Sequence, residues 1–132
     1  MEPPQAGPAF PTLVPRVGSD GNELGGIRMP EVAVALATYT GWNLRNADIG
    51  APSEPLAFTG SWLPFSRTKQ IPVAADDPRP SIAERYANEQ DYLARIDAAA
   101  RELATEGFLL EKDLDLLHER AAQEWEYRQQ LK

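Results

Sequence analysis

The distribution of proline divides this chain into two parts of different character. All 12 prolines of the 132-residue sequence, and eight of its nine glycines, lie within residues 1–80. Because proline lacks a backbone N–H and breaks helices, long helices are excluded from that part. The remaining residues contain no proline and one glycine, Gly107, so the helices are expected there.

The only long apolar run of the first part is Val32–Ala37. Pro30 precedes it and Gly41 follows it. Its length and β-branched residues predict a buried strand. A strand that is apolar on both faces belongs inside a covered sheet, as in α/β proteins. Since this chain offers few other strands, we expect strands from elsewhere to complete the sheet.

The sequence before and after this strand predicts further elements, from weaker patterns. Residues 1–12 predict an extended linker. Leu13–Val17 and Leu24–Met29 predict the arms of a short β-hairpin, and Gly18–Asn22 predicts its turn. The strands would therefore occupy residues 13–45, followed by one long proline-rich loop over residues 46–80. Large apolar side chains in that loop indicate that it packs on the fold, and long loops often border binding sites.

Residues 81–132 predict helices that end in an antiparallel hairpin. Ser81 and Glu84 have capping-box spacing and predict a short helix. Asn88 suits the N-cap of a second, longer helix, which Gly107 would end. A third helix is predicted from about Glu111 to about Gln129. The apolar faces of the two long helices would be Tyr92, Leu93, Ile96, Ala99, Ala100 and Leu103, and Leu114, Leu117, Ala121, Ala122 and Trp125.

Charge and hydropathy narrow the possible partners. The net charge of −7 disfavours a nucleic-acid partner, whose phosphates require clustered Lys and Arg. No segment approaches the roughly 18 apolar residues of a membrane span, so no membrane partner is predicted. The start Met-Glu-Pro-Pro has neither the basic nor the apolar region of an export signal. The compartment stays open.

Several segments are similar in sequence to a known family. The first are Val14–Val17, Asp20–Leu24, Gly26–Val34 and Ala37–Arg45, and the later ones are Phe58–Ser61, Pro64–Phe65, Asp77–Ile82, Glu84–Tyr86 and Gly107–Leu110. They resemble the C-terminal region of the bacterial alpha/beta hydrolase domain-containing proteins. The resemblance implies a mostly parallel sheet with helices on both faces and a Ser-acid-His triad. Residues 13–132 would then be the C-terminal portion of such a domain, with a missing N-terminal hydrolase portion or a partner chain as its complement.

No catalytic residue transfers to this chain through the resemblance. A nucleophile elbow needs Gly-x-Ser-x-Gly, and none of the serines has that context: Ser19, Ser53, Ser61, Ser66 and Ser81. The only histidine, His118, falls inside the third predicted helix, whereas a triad histidine is normally presented on a loop. We expect it on the helix surface or in helix packing.

Two polar clusters do not favour a metal site. Asp20–Glu23 lacks the ligand spacing of a calcium loop and predicts a turn. A second cluster, before the first helix of the C-terminal part, is expected to be a solvated run; it consists of Asp76, Asp77, Arg79 and Glu84. We therefore predict no metal and no cofactor.

The best candidate for a binding site follows the predicted buried strand. In α/β sheets, ligand sites lie beyond the carboxyl ends of strands. The sequence places hydrogen-bond donors, an aromatic plane and a guanidinium that could pair with a carboxylate there: Tyr39, Thr40, Trp42, Asn43 and Arg45. The alternative is that Trp42 packs the long loop and Arg45 pairs with a local acid.

Two functions remain open from the sequence. The first is a C-terminal segment of an alpha/beta-hydrolase-like ester hydrolase, structural and pocket-lining but not catalytic alone. The alternative is a free-standing interaction module whose helical hairpin docks on a partner chain through Leu114, Leu117 and Trp125.

Overall fold

A computed structural model describes residues 7–11, 13–56, 58–69 and 77–131. Its helices are α1 (Pro30–Ala33), α2 (Ile82–Arg85), α3 (Glu89–Thr105) and α4 (Leu114–Gln130), and its strands are β1 (Ala37–Thr40), β2 (Asn43–Leu44), β3 (Pro55–Leu56) and β4 (Ser61–Pro64). Short 3-10 turns occupy Ala47–Ile49 and Glu111–Asp113. Of the predicted linker, residues 7–11 have no regular structure, and the others lie outside the described residues. The fold is mixed, with helices and small antiparallel sheets.

The predicted strand at Val32–Ala37 is wrong in its extent. Residues Pro30–Ala33 form a helical turn, and the strand begins only at Ala37. Pro30 is the reason, because its fixed φ and missing N–H suit the first position of a helix. The predicted burial holds only for the second half of the run: Ala35 and Leu36 are each 1% exposed, whereas Ala33 is exposed. Apolar runs this short do not distinguish a helical turn from a strand.

The partner of β1 comes from the segment that was predicted to be one long loop. β1 pairs antiparallel with β4, with Ala37 opposite Pro64 and Thr40 opposite Ser61. β2 and β3 form a second antiparallel pair within the same segment. The expected parallel arrangement is therefore not present among the described residues.

A side chain occupies the other edge of β1. The amide nitrogen of Asn22 donates to the carbonyl of Ala37 at 3.0 Å, and its amide oxygen accepts from the N–H of Tyr39 at 2.8 Å. Asn22 is 1% exposed. Because buried backbone groups require partners, this amide takes the place of a neighbouring strand. The predicted need for an external strand at this edge is thus removed.

The predicted hairpin is reduced to its turn. A single antiparallel bridge joins Val17 and Glu23, and the N–H of Gly18 donates to the carbonyl of Asn22 at 2.9 Å. Gly21 has a φ of +79°, and a Cβ there would lie 2.9 Å from Cγ2 of Thr38. Only glycine lets this turn approach β1 so closely.

The helix signals of the sequence are confirmed. Ser81 and Glu84 form the capping box of α2. The side chain of Asn88 accepts from the N–H of Asp91 at 2.9 Å and caps α3. Gly107 has a φ of +83°, and the N–H of Phe108 returns to the carbonyl of Leu103 at 2.8 Å. These two features are those of a Schellman ending.

The two long helices pack as an antiparallel pair. Tyr92, early in α3, stacks on Trp125, late in α4, with ring centroids 5.2 Å apart. Asp97, later in α3, contacts His118, which lies earlier in α4. The core joins these helices to the ends of β1 and β4 through Ala35, Leu36, Phe65, Ile82, Tyr86, Tyr92, Ile96, Ala121 and Trp125. None of the described helices combines the length and the apolar content needed to cross a membrane.

Candidate functional site

A cleft of about 430 Å³ lies between α4, the β1–β4 pair and the start of α1. This volume is in the range that holds small-molecule ligands. The sheet contributes Tyr39 and Trp62, and α1 contributes Glu31. The wall formed by α4 includes Leu117, Arg120, Glu124 and Tyr127.

Local structure explains why these side chains share the cleft. Tyr39 and Trp62 are directly opposite each other in the β1–β4 register, and opposite residues of an antiparallel pair point to the same face. On α4, the lining residues are separated by three or four positions, which places them on one side of a helix. The cleft is therefore the space between one sheet face and one helix face.

A hydrogen bond ties the two walls together. The hydroxyl of Tyr39 donates to Oε1 of Glu124 at 2.8 Å. Burial raises the pKa of Tyr39 well above its usual range, and the negative charge of Glu124 raises it further. The phenol is therefore protonated at neutral pH and able to donate to the carboxylate.

Aromatic rings form the part of the wall next to this bond. The rings of Trp62 and Tyr127 have centroids 5.9 Å apart and are inclined by 38°. Behind them, the guanidinium of Arg128 lies 6.0 Å from the Trp62 ring centroid and donates to the carbonyl of Phe65. Arg128 is buried, and burial lowers its pKa. This arginine supports the aromatic wall from the interior.

Among the residues that the structure describes, two carboxylates and one guanidinium line the cleft. Glu31, Glu124 and Arg120 line it, and none of the three takes part in an ion pair within the described part of the chain. The cleft thus carries a small excess of negative charge beside an aromatic wall. Such a surface can bind and orient a ligand.

The five residues predicted from the sequence do not share the cleft. Only Tyr39 lines the cleft. Thr40 accepts from the N–H of Ser61 at 3.1 Å and donates to the carbonyl of Trp42, which closes the turn after β1. Trp42 is 51% exposed, and its carbonyl also accepts from the hydroxyl of Ser61.

The other two predicted residues belong to the β2–β3 pair: Asn43 begins β2, and Arg45 follows it. The side chain of Asn43 accepts from the N–H of Leu44 at 2.8 Å. Arg45 is exposed, and its N–H donates to the carbonyl of Glu54 at 3.1 Å. Among the described residues, Arg45 forms no ion pair with a local acid.

Sequence reasoning missed most of the cleft. Glu31, Trp62, Arg120, Glu124 and Tyr127 were not singled out. The cleft residues of α4 could have been found from the sequence, because their spacing places them on a single helix face next to the apolar face. Trp62 had none, since its segment was predicted as loop and its register with β1 depends on a contact 23 positions away in the sequence.

The acid–base residues outside the cleft serve the fold. Nδ1 of His118 lies 2.9 Å from Oδ1 of Asp97 and links α4 to α3 at the surface, in agreement with the predicted helix-surface role. The hydroxyl of Ser61 donates to the carbonyl of Trp42, and Ser81 belongs to the capping box. Within the described residues, no group of three or more His, Asp or Glu side chains is arranged to hold a metal ion.

The charged run before α2 is also structural. Arg79 forms a two-point contact with Asp77, and its other nitrogen donates to Oγ1 of Thr38 and the carbonyl of Leu63 at 2.8 and 2.9 Å. The bond to Arg79 lowers the pKa of Asp77. Glu84 accepts from Ser81, which lowers the pKa of Glu84. Asp76 lies outside the described residues.

Comparison with known proteins gives one match. The family model of the alpha/beta hydrolase domain matches residues 2–119. No curated protein and no solved structure matches the chain. The family match agrees with the resemblance found in the sequence, and it spans most of the 132 residues. The chain belongs to the alpha/beta hydrolase domain family.

Proposed function

We propose that this chain is a ligand-binding but non-catalytic segment of an alpha/beta-hydrolase-like protein. Its cleft would hold part of the ligand, and a further hydrolase portion or a partner chain would supply the hydrolytic residues. One observation carries the proposal: a cleft of about 430 Å³ occurs in a member of a hydrolase family whose sequence has no Gly-x-Ser-x-Gly motif.

The position of the single histidine supports a non-catalytic role. A nucleophile, its base and the bound ligand must lie within hydrogen-bonding reach of one another. His118 bonds to Asp97 across the surface of the two helices and does not line the cleft. Of the cleft residues that carry protons or charge, Tyr39 and Glu124 are bonded to each other. This arrangement suits binding better than acyl transfer.

Exposed apolar side chains support contact with a further protein surface. Phe10, Leu13 and Val14 lie close together in the chain, and each is largely exposed. Phe58, near the β4 end of the sheet, is 96% exposed. Large apolar side chains with this degree of exposure are available for contact with another protein surface.

Ester hydrolysis by the isolated chain tests the proposal. With p-nitrophenyl acetate, we expect a slow rate that rises linearly with ester concentration and is unchanged by Ser61→Ala or Ser66→Ala. Saturable turnover that disappears when one serine is replaced by alanine would overturn the non-catalytic role.

The interaction module remains as a second candidate, because the connection between α3 and α4 and the first turn of α4 expose apolar side chains. Phe108, Leu110 and Leu116 are each more than half exposed. Trp125, which the sequence had assigned to the docking face, is only 9% exposed and belongs to the core. The coding sequence before Met1 distinguishes the two candidates: a Gly-x-Ser-x-Gly elbow there, in frame or in an adjacent gene, favours the hydrolase segment, and unrelated sequence favours the module.

A further inference from the structure

We propose that the cleft between α4 and the β1–β4 pair binds a small organic cation, an ammonium group carried on an aromatic frame. The proposal rests on the proposed function, in which this cleft is a ligand site. It adds the chemical class of the ligand, which follows from the charges, the hydrogen-bonding groups and the rings that line the cleft.

Charge is the first reason for choosing a cation. Glu31 and Glu124 line the cleft against the single guanidinium of Arg120. The nearby Arg128 keeps its positive charge, but it does not line the cleft. It is buried behind the Trp62 ring and donates into the interior, to the carbonyl of Phe65. The part of the chain that includes α4 also has a net negative charge, since residues 71–132 contain 14 acidic and eight basic side chains. A field of this sign attracts cations and repels anions.

The hydrogen-bonding capacity of the cleft is the second reason. Oε1 of Glu124 accepts from Tyr39, and this bond fixes the direction of the carboxylate. Within the described residues, Oε2 of Glu124 and both carboxylate oxygens of Glu31 have no hydrogen-bond donor. These acceptors match the three donors of an ammonium group.

The aromatic wall is the third reason. Trp62 and Tyr127 lie beside the carboxylates, and the Tyr127 side chain is 52% exposed. Aromatic faces favour both a flat apolar frame and an adjacent positive charge. An anionic ligand would find one guanidinium at this wall and two carboxylates opposing it.

The test is a titration of the intact chain with three probes of nearly equal size: 2-phenylethylammonium, neutral 2-phenylethanol and anionic phenylacetate. Binding is measured by isothermal titration calorimetry, and its location by the NMR shift of the Trp62 indole N–H. We expect the ammonium probe to bind with a stoichiometry of one and more tightly than the other two. Glu31→Gln and Glu124→Gln should each weaken it about 5- to 10-fold, as expected for the loss of a charged acceptor at a partly exposed site.

Glu126→Gln is the matched control. It makes the same change of charge on α4, at an exposed position that does not line the cleft, and it should leave binding within about two-fold. Equal weakening by Glu126→Gln, or no weakening by either cleft variant, would overturn the inference.

The neutral and anionic probes separate this inference from the proposed function. If 2-phenylethanol or phenylacetate shifts the Trp62 signal and binds at least as tightly as the ammonium probe, the cleft is a ligand site of another class. If none of the three probes shifts that signal, both the cation inference and the binding role of the cleft fail.

Discussion

At the scale of the residue, Asn22 contributes more to the fold than its place in a predicted turn indicated. Its amide both donates to and accepts from the outer edge of β1, at Ala37 and Tyr39. Tyr39 is also the β1 residue that lines the cleft. One buried side chain therefore fixes the strand that positions a wall of the proposed binding site.

Replacing Asn22 should destabilise the chain strongly. Asn22→Ala would leave the carbonyl of Ala37 and the N–H of Tyr39 without the partners they have in the fold. Because each unsatisfied buried group costs on the order of 1–3 kcal/mol, we expect the free energy of unfolding to fall by about 2–4 kcal/mol. The measurement is urea unfolding followed by circular dichroism.

Asn43→Ala is the control for this change. Asn43 is exposed, and its side chain bonds only to the neighbouring N–H of Leu44, so its loss should change the free energy of unfolding by less than about 0.5 kcal/mol. Equal effects of the two substitutions would contradict the strand-like role of Asn22.

At the scale of the element, the helices after residue 80 could be predicted from the sequence, whereas α1 and the sheet could not. The ends of α2 and α3 are determined by neighbouring residues such as Ser81, Asn88 and Gly107, which act within one turn. The strand β1 depends instead on β4 and on Asn22, each more than a dozen positions away. A local sequence pattern does not indicate which distant residues a strand pairs with. In addition, the prolines around β4 had predicted a loop.

The membership of the cleft could be predicted only in part, for the same reason. Tyr39 was selected because it follows a buried apolar run, and it does line the cleft. Thr40, Trp42, Asn43 and Arg45 were selected on the assumption of a parallel sheet, where strand ends meet at a binding crevice. β1 instead leads into a turn that these residues build. The remaining cleft residues come from elements whose contacts with β1 were not predictable.

The end of α3 provides a prediction at this scale. Gly107 adopts a φ of +83°, in the left-handed region where a Cβ costs roughly 1–2 kcal/mol. Gly107→Ala should therefore lower the free energy of unfolding by about 1 kcal/mol or more, as measured by thermal and urea unfolding. Gly41→Ala is the matched control, because Gly41 lacks a positive φ and a Cβ there meets no atom within 4 Å. A loss as large at Gly41 would contradict this explanation of the helix end.

At the scale of the whole molecule, tyrosines connect the cleft to the core. Tyr86 packs edge-on against Tyr92, with centroids 5.1 Å apart, and Tyr92 stacks on Trp125. Burial raises the pKa of Tyr86 to about 12. It raises the pKa of Tyr92 and Tyr39 still further, with additional contributions from the charge of Glu124. The fold therefore retains three phenolic protons that an unfolded chain releases near pH 10.

This difference in tyrosine pKa between the folded and the unfolded chain predicts that the free energy of unfolding falls at high pH. The three tyrosines contribute their full stabilisation below the unfolded-state pKa of about 10. This contribution falls as the pH rises towards the pKa values of the folded chain, because only the unfolded chain releases these protons in that range. The free energy of unfolding should fall by up to roughly 1.4 kcal/mol per pH unit for each tyrosine. Urea unfolding at pH 7, 9 and 11 measures it, and constant stability from pH 9 to 11 would contradict the burial of these phenols.

Tyr92→Phe serves as the control for the alkaline loss. The Tyr92 hydroxyl is buried and has no hydrogen-bond partner within the described residues, so its removal should cost little at pH 7. The variant should show about one third less loss of stability between pH 9 and 11, since one of the three phenols is gone. An unchanged pH dependence would mean that Tyr92 does not contribute.

The most direct test of the cleft is a double-mutant cycle across it, with Tyr39→Phe, Glu124→Ala and the two combined. The bond between Tyr39 and Glu124, 2.8 Å long, joins β1 to α4, and both proposals depend on these walls facing each other. Because a hydrogen bond to a charged group is worth on the order of 1–3 kcal/mol, we expect urea unfolding to give a coupling energy of about 1 kcal/mol or more. Additive effects of the two substitutions would mean that the walls do not meet there, and would contradict the account.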